Sequence, residues 1–353
     1  MPSVPPSWAL VARSTLELAM LLAMHAPDGF LTAPTAIATG VLSAGAMAAA
    51  IRASRPELDD DRIPLAGVTA AFVFAAQMVN FPVAAGTTGH LMGGALAAVL
   101  LGPSLGLLVV AVVVIVQAIG FADGGLTALG YNVFNMAVVT ALGGWAVFRG
   151  ARRLLPATPT GVTLGAFVAA VASVVLSALA FSLQWLFGAS AAVPFDTVLT
   201  AMLGVHTLIG LGEGLITAGV VAAVLAVRPD LVRGADGIDR AAGPARLPRA
   251  RFVLAGVVAS LVVAVGVAQF AVDNPDGLER VAEDTGFSEV AEDHALGSSI
   301  FADYATAGVG DETVSLAIAG AAGTLVTLAL GTGLLLLVRD RRRGSDASTA
   351  PTA

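Results

Sequence analysis

Nine apolar stretches, most of them about twenty residues long, recur along almost the whole of this 353-residue chain and fix its class of fold. A membrane helix needs about 20 mostly apolar residues to cross the hydrocarbon core, and a helix satisfies its own backbone there. The stretches read as helices over roughly 31–51, 63–82, 89–101, 104–121, 128–148, 161–187, 197–227, 252–271 and 313–338. The third is short and rich in Gly, so it is expected to be partly re-entrant or buried against its neighbours. Charged residues are only 12% of the chain, against about a quarter in a soluble domain. The expected fold is therefore an all-α polytopic membrane protein solvated by lipid.

What the chain lacks narrows its chemistry. There is no Cys, which excludes disulfides, thiolate metal sites and cysteine nucleophiles. All 18 basic residues are Arg. A phosphate-binding loop of the GxxxxGK[ST] type has no Lys to use, so any ATP that powers this chain is hydrolysed by another polypeptide. Nucleic acid is not among the expected partners.

The arginines set an orientation, because cytoplasmic loops carry the excess of positive charge. With residue 30 outside, 16 of the 18 arginines fall inside; Arg13 and Arg280 are the exceptions. The expected topology is N-terminus out and C-terminus in, in a bacterial plasma membrane. Residues 229–250 are basic and rich in Pro and Gly, and read as a cytoplasmic linker. It divides a membrane unit over 24–228 from a second unit over 251–340, with a cytoplasmic tail at 341–353. Between the last two helices, residues 272–312 hold eleven Asp or Glu against one Arg, a formal charge of −10. Such a field concentrates cations, although a merely solvated loop would have the same composition. Residues 1–23 are too short in apolar length to span and are a poor secretory leader. Either they are removed or translation starts at Met24, the second being the preferred reading.

Four histidines remain, His25, His90, His206 and His294. An ionisable residue at membrane depth is a functional candidate, and His90 and His206 sit near helix ends; a structural hydrogen bond is the plainer alternative. If Met24 is the mature N-terminus, its amine, the His25 amide nitrogen and the His25 imidazole can wrap one ion in two fused chelate rings. Planar nitrogen donors suit Ni(II) and Cu(II), whereas imidazole alone does not discriminate among metals. Binding requires deprotonation, so affinity falls with pH.

These residues sit in recognisable blocks. MHAPDGF at 24–30, NFPVAAGTTGHLMGGALAAVLLGP at 80–103, QAIGFADGGLTALGYNVFNM at 117–136 and MLGVHTLIGLGEGLITA at 202–218 resemble, in order, the signature blocks of the CbiM/NikM family. Its members are the cobalt and nickel substrate-binding (S) components of energy-coupling factor ABC transporters. NPDGLERVAEDTGF at 274–287 resembles the PDGLE module of the small accessory subunit, with two membrane helices around an outer loop.

The resemblance implies a seven-helix S-component bundle fused to two further transmembrane helices. It implies Ni2+ or Co2+ as transported substrate, with no cofactor, held by the amine of Met24, the amide and ring nitrogens of His25, and His90. It further implies a transmembrane coupling (T) subunit and cytoplasmic ATP-binding cassette ATPases as partners. The choice between nickel and cobalt stays open.

Lesser candidates follow from the residues. Asp28 and Asn80 could orient ligands, since metal-bound imidazoles usually donate their other N–H to an oxygen acceptor. His206 and Glu213, two helical turns apart, share a face; a structural hydrogen-bonded pair is the preferred reading over a place on the route or against a partner. Ala36, Gly40, Ala44 and Ala48 form a small-xxx-small stripe for close helix approach, either to a partner helix or within the bundle. Two other classes compete. An intramembrane hydrolase would pair Ser190 with His206, but Ser190 falls in a short loop with nothing to activate it. A proton- or sodium-coupled secondary transporter would need acids at the midplane, where Glu213 is the main candidate.

Overall fold

A computed structural model describes residues 25–84, 86–238 and 247–348. The segment 1–23, Met24, Ala85, residues 239–246 of the linker and residues 349–353 of the tail lie outside the described residues.

Proline and glycine punctuate the helices. The chain enters α1 (Ala33–Ser54) through Pro34, and α2 (Arg62–Gln77) follows a tight turn. Pro82 cannot continue a helix, so the expected helix over 63–82 stops at Gln77. A two-stranded antiparallel hairpin replaces its end, with β1 (Phe81–Ala84) paired to β2 (Thr87–Gly89). Then come α3 (Gly94–Leu101), α4 (Pro103–Gly120), α5 (Leu129–Arg152), α6 (Pro159–Gly188) and α7 (Phe195–Val227). Prolines at the starts of α1, α4 and α6 fall where the missing N–H is not needed. A second group follows: α8 (Arg249–Val265), the short α9 (Gly277–Thr285) and α10 (Glu312–Ser348).

Each of the nine apolar stretches thus carries a helix, and among the described residues seven helices are long and apolar enough to cross a membrane. The protein is an all-α polytopic membrane protein. The third stretch is the shortest: α3 has eight residues, all of them buried. It is a core helix fed by the extended segment from β2. Its Ala and Leu residues pack with α4 and α5 in one continuous apolar core.

The two ends of the bundle differ in charge. At one, Arg62 donates to the Leu101 carbonyl at 3.2 Å, Arg339 meets Asp60 at 2.8 Å, Arg249 meets Asp61 at 3.2 Å and Arg233 lies 3.7 Å from Glu57. The opposite end gathers His25, the hairpin, the loop 121–128 and the segment 272–311, and is called the histidine end below. There α9 packs on α7, and Phe287, just beyond its end, packs edge-on to Phe30 at 5.0 Å and against Trp185 at 4.4 Å.

Candidate metal centre

The turn before α1 is held from below by the start of α5. Asn132 Nδ2 donates to the Ala26 carbonyl at 2.9 Å, the Gly125 N–H donates to the same carbonyl at 3.0 Å, and the Tyr131 hydroxyl donates to the Pro27 carbonyl at 2.9 Å. Asp28 reaches the other way. Its carboxylate accepts from the N–H groups of Leu126, Thr127 and Ala128 and from the Thr127 hydroxyl. Gly124 completes the fit: at φ +82° a Cβ would lie 2.6 Å from the His25 Cβ, so a side chain is excluded both by backbone conformation and by contact. His25 is thereby 97% buried, with 3% exposure.

His90 arrives from β2. Its Nδ1–H donates to the Leu91 carbonyl at 3.2 Å, which turns Nε2 away from the backbone. Glu213, fully buried in α7, accepts the Met92 N–H at 2.7 Å and the Gly93 N–H at 3.1 Å, and Gln77 Nε2 donates to the Met92 carbonyl at 3.0 Å. Two helices therefore fix the backbone that carries His90.

These supports bring His25 and His90 together. Their ring centroids are 5.8 Å apart, edge to face at 76°. Both line a cavity of about 60 Å³ with His206, Met92, Met202 and Asn135, large enough for an ion with little water. His206 Nδ1–H donates to the Met202 carbonyl at 2.8 Å. Asn135 enters through a π-helical turn in α5, Phe134–Val139, and exchanges two hydrogen bonds with Gln184 at 2.9 and 2.7 Å. Among the described residues neither ring nitrogen of His25 makes a well-aligned hydrogen bond, although Nδ1 faces a carboxylate of Asp123 at 3.0 Å. Buried ring nitrogens not committed to the protein's own hydrogen bonds are suited to bind an ion.

Two carboxylates face the imidazoles. Asp123 Oδ1 lies 3.0 Å from His25 Nδ1, out of line for a hydrogen bond, while its Oδ2 accepts from the Tyr304 hydroxyl at 2.7 Å. Tyr304 in turn accepts from Gln117 Nε2 at 3.0 Å. Burial alone would raise the Asp123 carboxyl; the facing His25 and the Tyr304 hydroxyl outweigh it and hold the group below its ordinary value. Asp276 Oδ2 lies 3.7 Å from His90 Nε2. Above this cavity is a wider one of about 240 Å³, lined by Asp28, Glu279, Glu292, Asp293, His294 and Asp303. Burial and the neighbouring Asp276 charge push the Glu279 carboxyl well above its ordinary value.

The expected site residues separate on this geometry. His25 and His90 converge, and Met24 lies outside the described residues. Asp28 does not orient an imidazole; it caps the loop that supports His25. Asn80 sits at the mouth of the hairpin and gives its carbonyl to the Val272 N–H at 3.1 Å; it lines neither cavity. His206 and Glu213 do not form the expected pair, because each finds a nearer backbone partner, the first lining the cavity and the second bracing His90. Ala36 and Gly40 lie in the bundle, where a Cβ built on Gly130 of α5 would come 2.7 Å from the Gly40 Cα and one built on Gly40 would lie 3.8 Å from the Gly130 Cα; Ala44 is exposed and Ala48 is half-buried. Ser190 is exposed, its N–H donating to the Phe30 carbonyl at 3.2 Å. Asp123, Asp276 and Tyr304 were not singled out from sequence. The available signal was an acid set within an apolar signature block, Asp123 in QAIGFADGG.

Among the described residues no three His, Asp or Glu side chains converge into a ready metal cluster. Two imidazoles alone leave an ion short of donors. Residues 25–231 match the family profile described as the cobalt uptake substrate-specific transmembrane region, CbiM, and residues 250–340 match the PDGLE domain. The chain belongs to the CbiM family, with a PDGLE domain fused to it. A protein of Archaeoglobus fulgidus that carries the provisional name fused nickel transport protein NikMN is 36% identical over 316 residues, covering 90% of this chain and 99% of that one. The cobalt transport protein CbiM of Geobacter sulfurreducens is 34% identical, over 72% of this chain and 76% of its own length. The crystal structure of a truncated transition metal transporter aligns with a TM-score of 0.50 at 28% identity, over 57% of this chain and 98% of that one. This member of the CbiM family is accordingly a transport protein rather than an enzyme, and a multi-pass membrane protein.

Proposed function

We propose that the chain captures a nickel or cobalt ion at its histidine end, which faces outward, and passes it inward as the substrate-specific subunit of an ATP-driven energy-coupling factor importer. The observation that carries this reading is the approach of His25 and His90 to 5.8 Å across one small cavity, with both nitrogens of His25 buried and, among the described residues, without a well-aligned hydrogen bond. His25 Nδ1 and the His25 amide nitrogen can close a six-membered chelate ring, and the amine of Met24 a second, five-membered one. His90 Nε2 is the fourth nitrogen. Such a set suits ions that accept square-planar geometry, and the names of the relatives point to nickel or cobalt.

ATP hydrolysis belongs to partner ATPases, because the chain has no Lys for a phosphate-binding loop. The coupling subunit docks along α1, whose apolar face exposes Ile37, Val41 and Leu42 beside Ala44. A midplane carboxylate for proton or sodium coupling finds no support in Glu213, which is occupied in bracing the His90 loop.

Vesicles containing the chain with its coupling subunit and ATPases test this. Labelled nickel or cobalt is expected to enter only when ATP is supplied, whether or not ion gradients are present. Uptake that ignores ATP and stops when proton and sodium gradients collapse would make the chain a secondary transporter instead.

A further inference from the structure

The PDGLE region reaches the metal site through a residue whose two oxygens have different duties. Asp276 is the N-cap of α9, and its Oδ1 accepts the N–H groups of Leu278 at 2.7 Å and Glu279 at 2.9 Å. Glu279 returns the bond by accepting the Asp276 N–H at 3.0 Å, which completes a capping box. The carboxylate is thus anchored through one oxygen. Oδ2 is left turned toward the cavity, 3.7 Å from His90 Nε2, in a residue that is 6% exposed.

The strand that carries His90 is tied to the same segment. The Thr88 N–H donates to the Pro275 carbonyl at 2.9 Å, and the Thr88 hydroxyl donates to the Asn274 carbonyl at 2.8 Å. Gly277 packs beside His206 and Ile209, where a Cβ would lie 3.1 Å from the His206 ring. Asp276 and His90 therefore cannot drift apart without breaking a strand contact and a helix cap together.

We propose that Asp276 is a donor to the transported ion, an anionic oxygen that the fused PDGLE region adds beside the nitrogens of the CbiM region. This rests on the metal-capture reading above. With metal–nitrogen and metal–oxygen distances of about 2.0–2.2 Å, two donors on one ion stand about 2.9 Å apart at right angles and about 4.1 Å apart when opposed. The observed 3.7 Å lies between these limits, so His90 and Asp276 can share an ion as they stand, and binding must draw His25 to them, because the three side chains do not already form a cluster. An oxygen outside the nitrogen plane raises the coordination number, relaxing the square-planar demand that favours nickel and admitting cobalt. Asp276 is then a specificity-determining residue. It also gives the PDGLE sequence a physical role: Pro275 sets the turn, Asp276 divides between cap and ion, Gly277 allows close approach to α7, and Glu279 completes the box.

The test is X-ray absorption of the nickel-loaded full chain in detergent, together with competitive binding of nickel and cobalt, for wild type and Asp276→Ser. Serine keeps the N-cap but cannot reach the ion. The wild type is expected to lack the pre-edge feature of square-planar nickel. The serine variant should bind nickel, gain that feature, and lose at least about tenfold in cobalt affinity relative to nickel, the lower bound for loss of a metal-site partner. Identical spectra and an unchanged metal preference would overturn the proposal while leaving the histidine site intact. Failure of wild type to bind either metal would remove the metal-capture reading itself. If the serine variant does not fold, Asp276→Asn keeps both the cap and the shape; an unchanged spectrum and preference there would likewise overturn the proposal.

Discussion

The CbiM region and the PDGLE region meet the membrane differently. In α4, α5 and α6 of the CbiM region 72%, 61% and 50% of the most apolar stretch is buried by protein, whereas in α8 and α10 of the PDGLE region the figures are 22% and 33%; α1, at 17%, is the peripheral helix of the CbiM region. The first region folds around its own core; the second leans on α2 and leaves most of its surface to lipid. At the histidine end the relation reverses. The short segment between α8 and α10 supplies buried groups, Asp276 beside His90 and Tyr304 on Asp123, while its membrane helices supply anchorage. A region with little core of its own can thus hold a central position in the site.

Breaking the CbiM side of this comparison has the largest expected effect. His25→Ala and His90→Ala should each weaken nickel or cobalt binding by more than about 100-fold, beyond the range for outer-shell partners, without lowering Tm in the metal-free state. Isothermal titration beside thermal melting separates the two effects. Glu213→Ala comes next, because it strands two buried N–H donors in a fully enclosed place. It should cost about 3 kcal/mol of stability and loosen His90, giving a lower Tm together with weaker metal binding; a variant that loses binding at wild-type Tm would instead place Glu213 on the ion's route.

Subtler changes sharpen the contrast. Leucine at Ala44 and Ala48 should abolish transport in vesicles while metal binding by the isolated chain persists, whereas Gly40→Leu, set against Gly130, should also lower Tm. Equal behaviour of all three would assign the whole stripe to internal packing. The smallest effect belongs to Glu279→Gln. The folded pKa of Glu279 is raised, so its stabilising contribution is present below its ordinary pKa and is lost as pH rises through the folded value. Glutamine cannot ionise and can still accept the Asp276 N–H. Its Tm should therefore match wild type in acid and exceed it increasingly as pH rises.

Much of this fold was legible because lipid demands long apolar runs, and each of the nine runs became a helix. The hairpin at 81–89 was not legible. NFPVAAGTTG is apolar enough to extend a helix, and only Pro82 and the glycines argue against it. His25 and His90 stood out as ionisable residues in apolar surroundings. Asp276 and Tyr304 did not, because they lie in the acidic segment 272–312, where one carboxylate resembles the next until the fold brings Thr88 against Pro275 and Phe121 against Tyr304. The expected pairing of His206 with Glu213 rests on a shared helical face. That geometry ignores the backbone groups nearby, and each side chain took one of those instead.

The account depends most on the nitrogen that precedes His25. Mass spectrometry of the intact native chain, with metal content measured on chains that begin at Met24 and on chains made to begin at Met1, tests it directly. Chains beginning at Met24 should retain one nickel or cobalt ion and those beginning at Met1 should retain none, because an amine in peptide linkage cannot serve as that ligand. Equal metal retention by both would contradict the proposed cage.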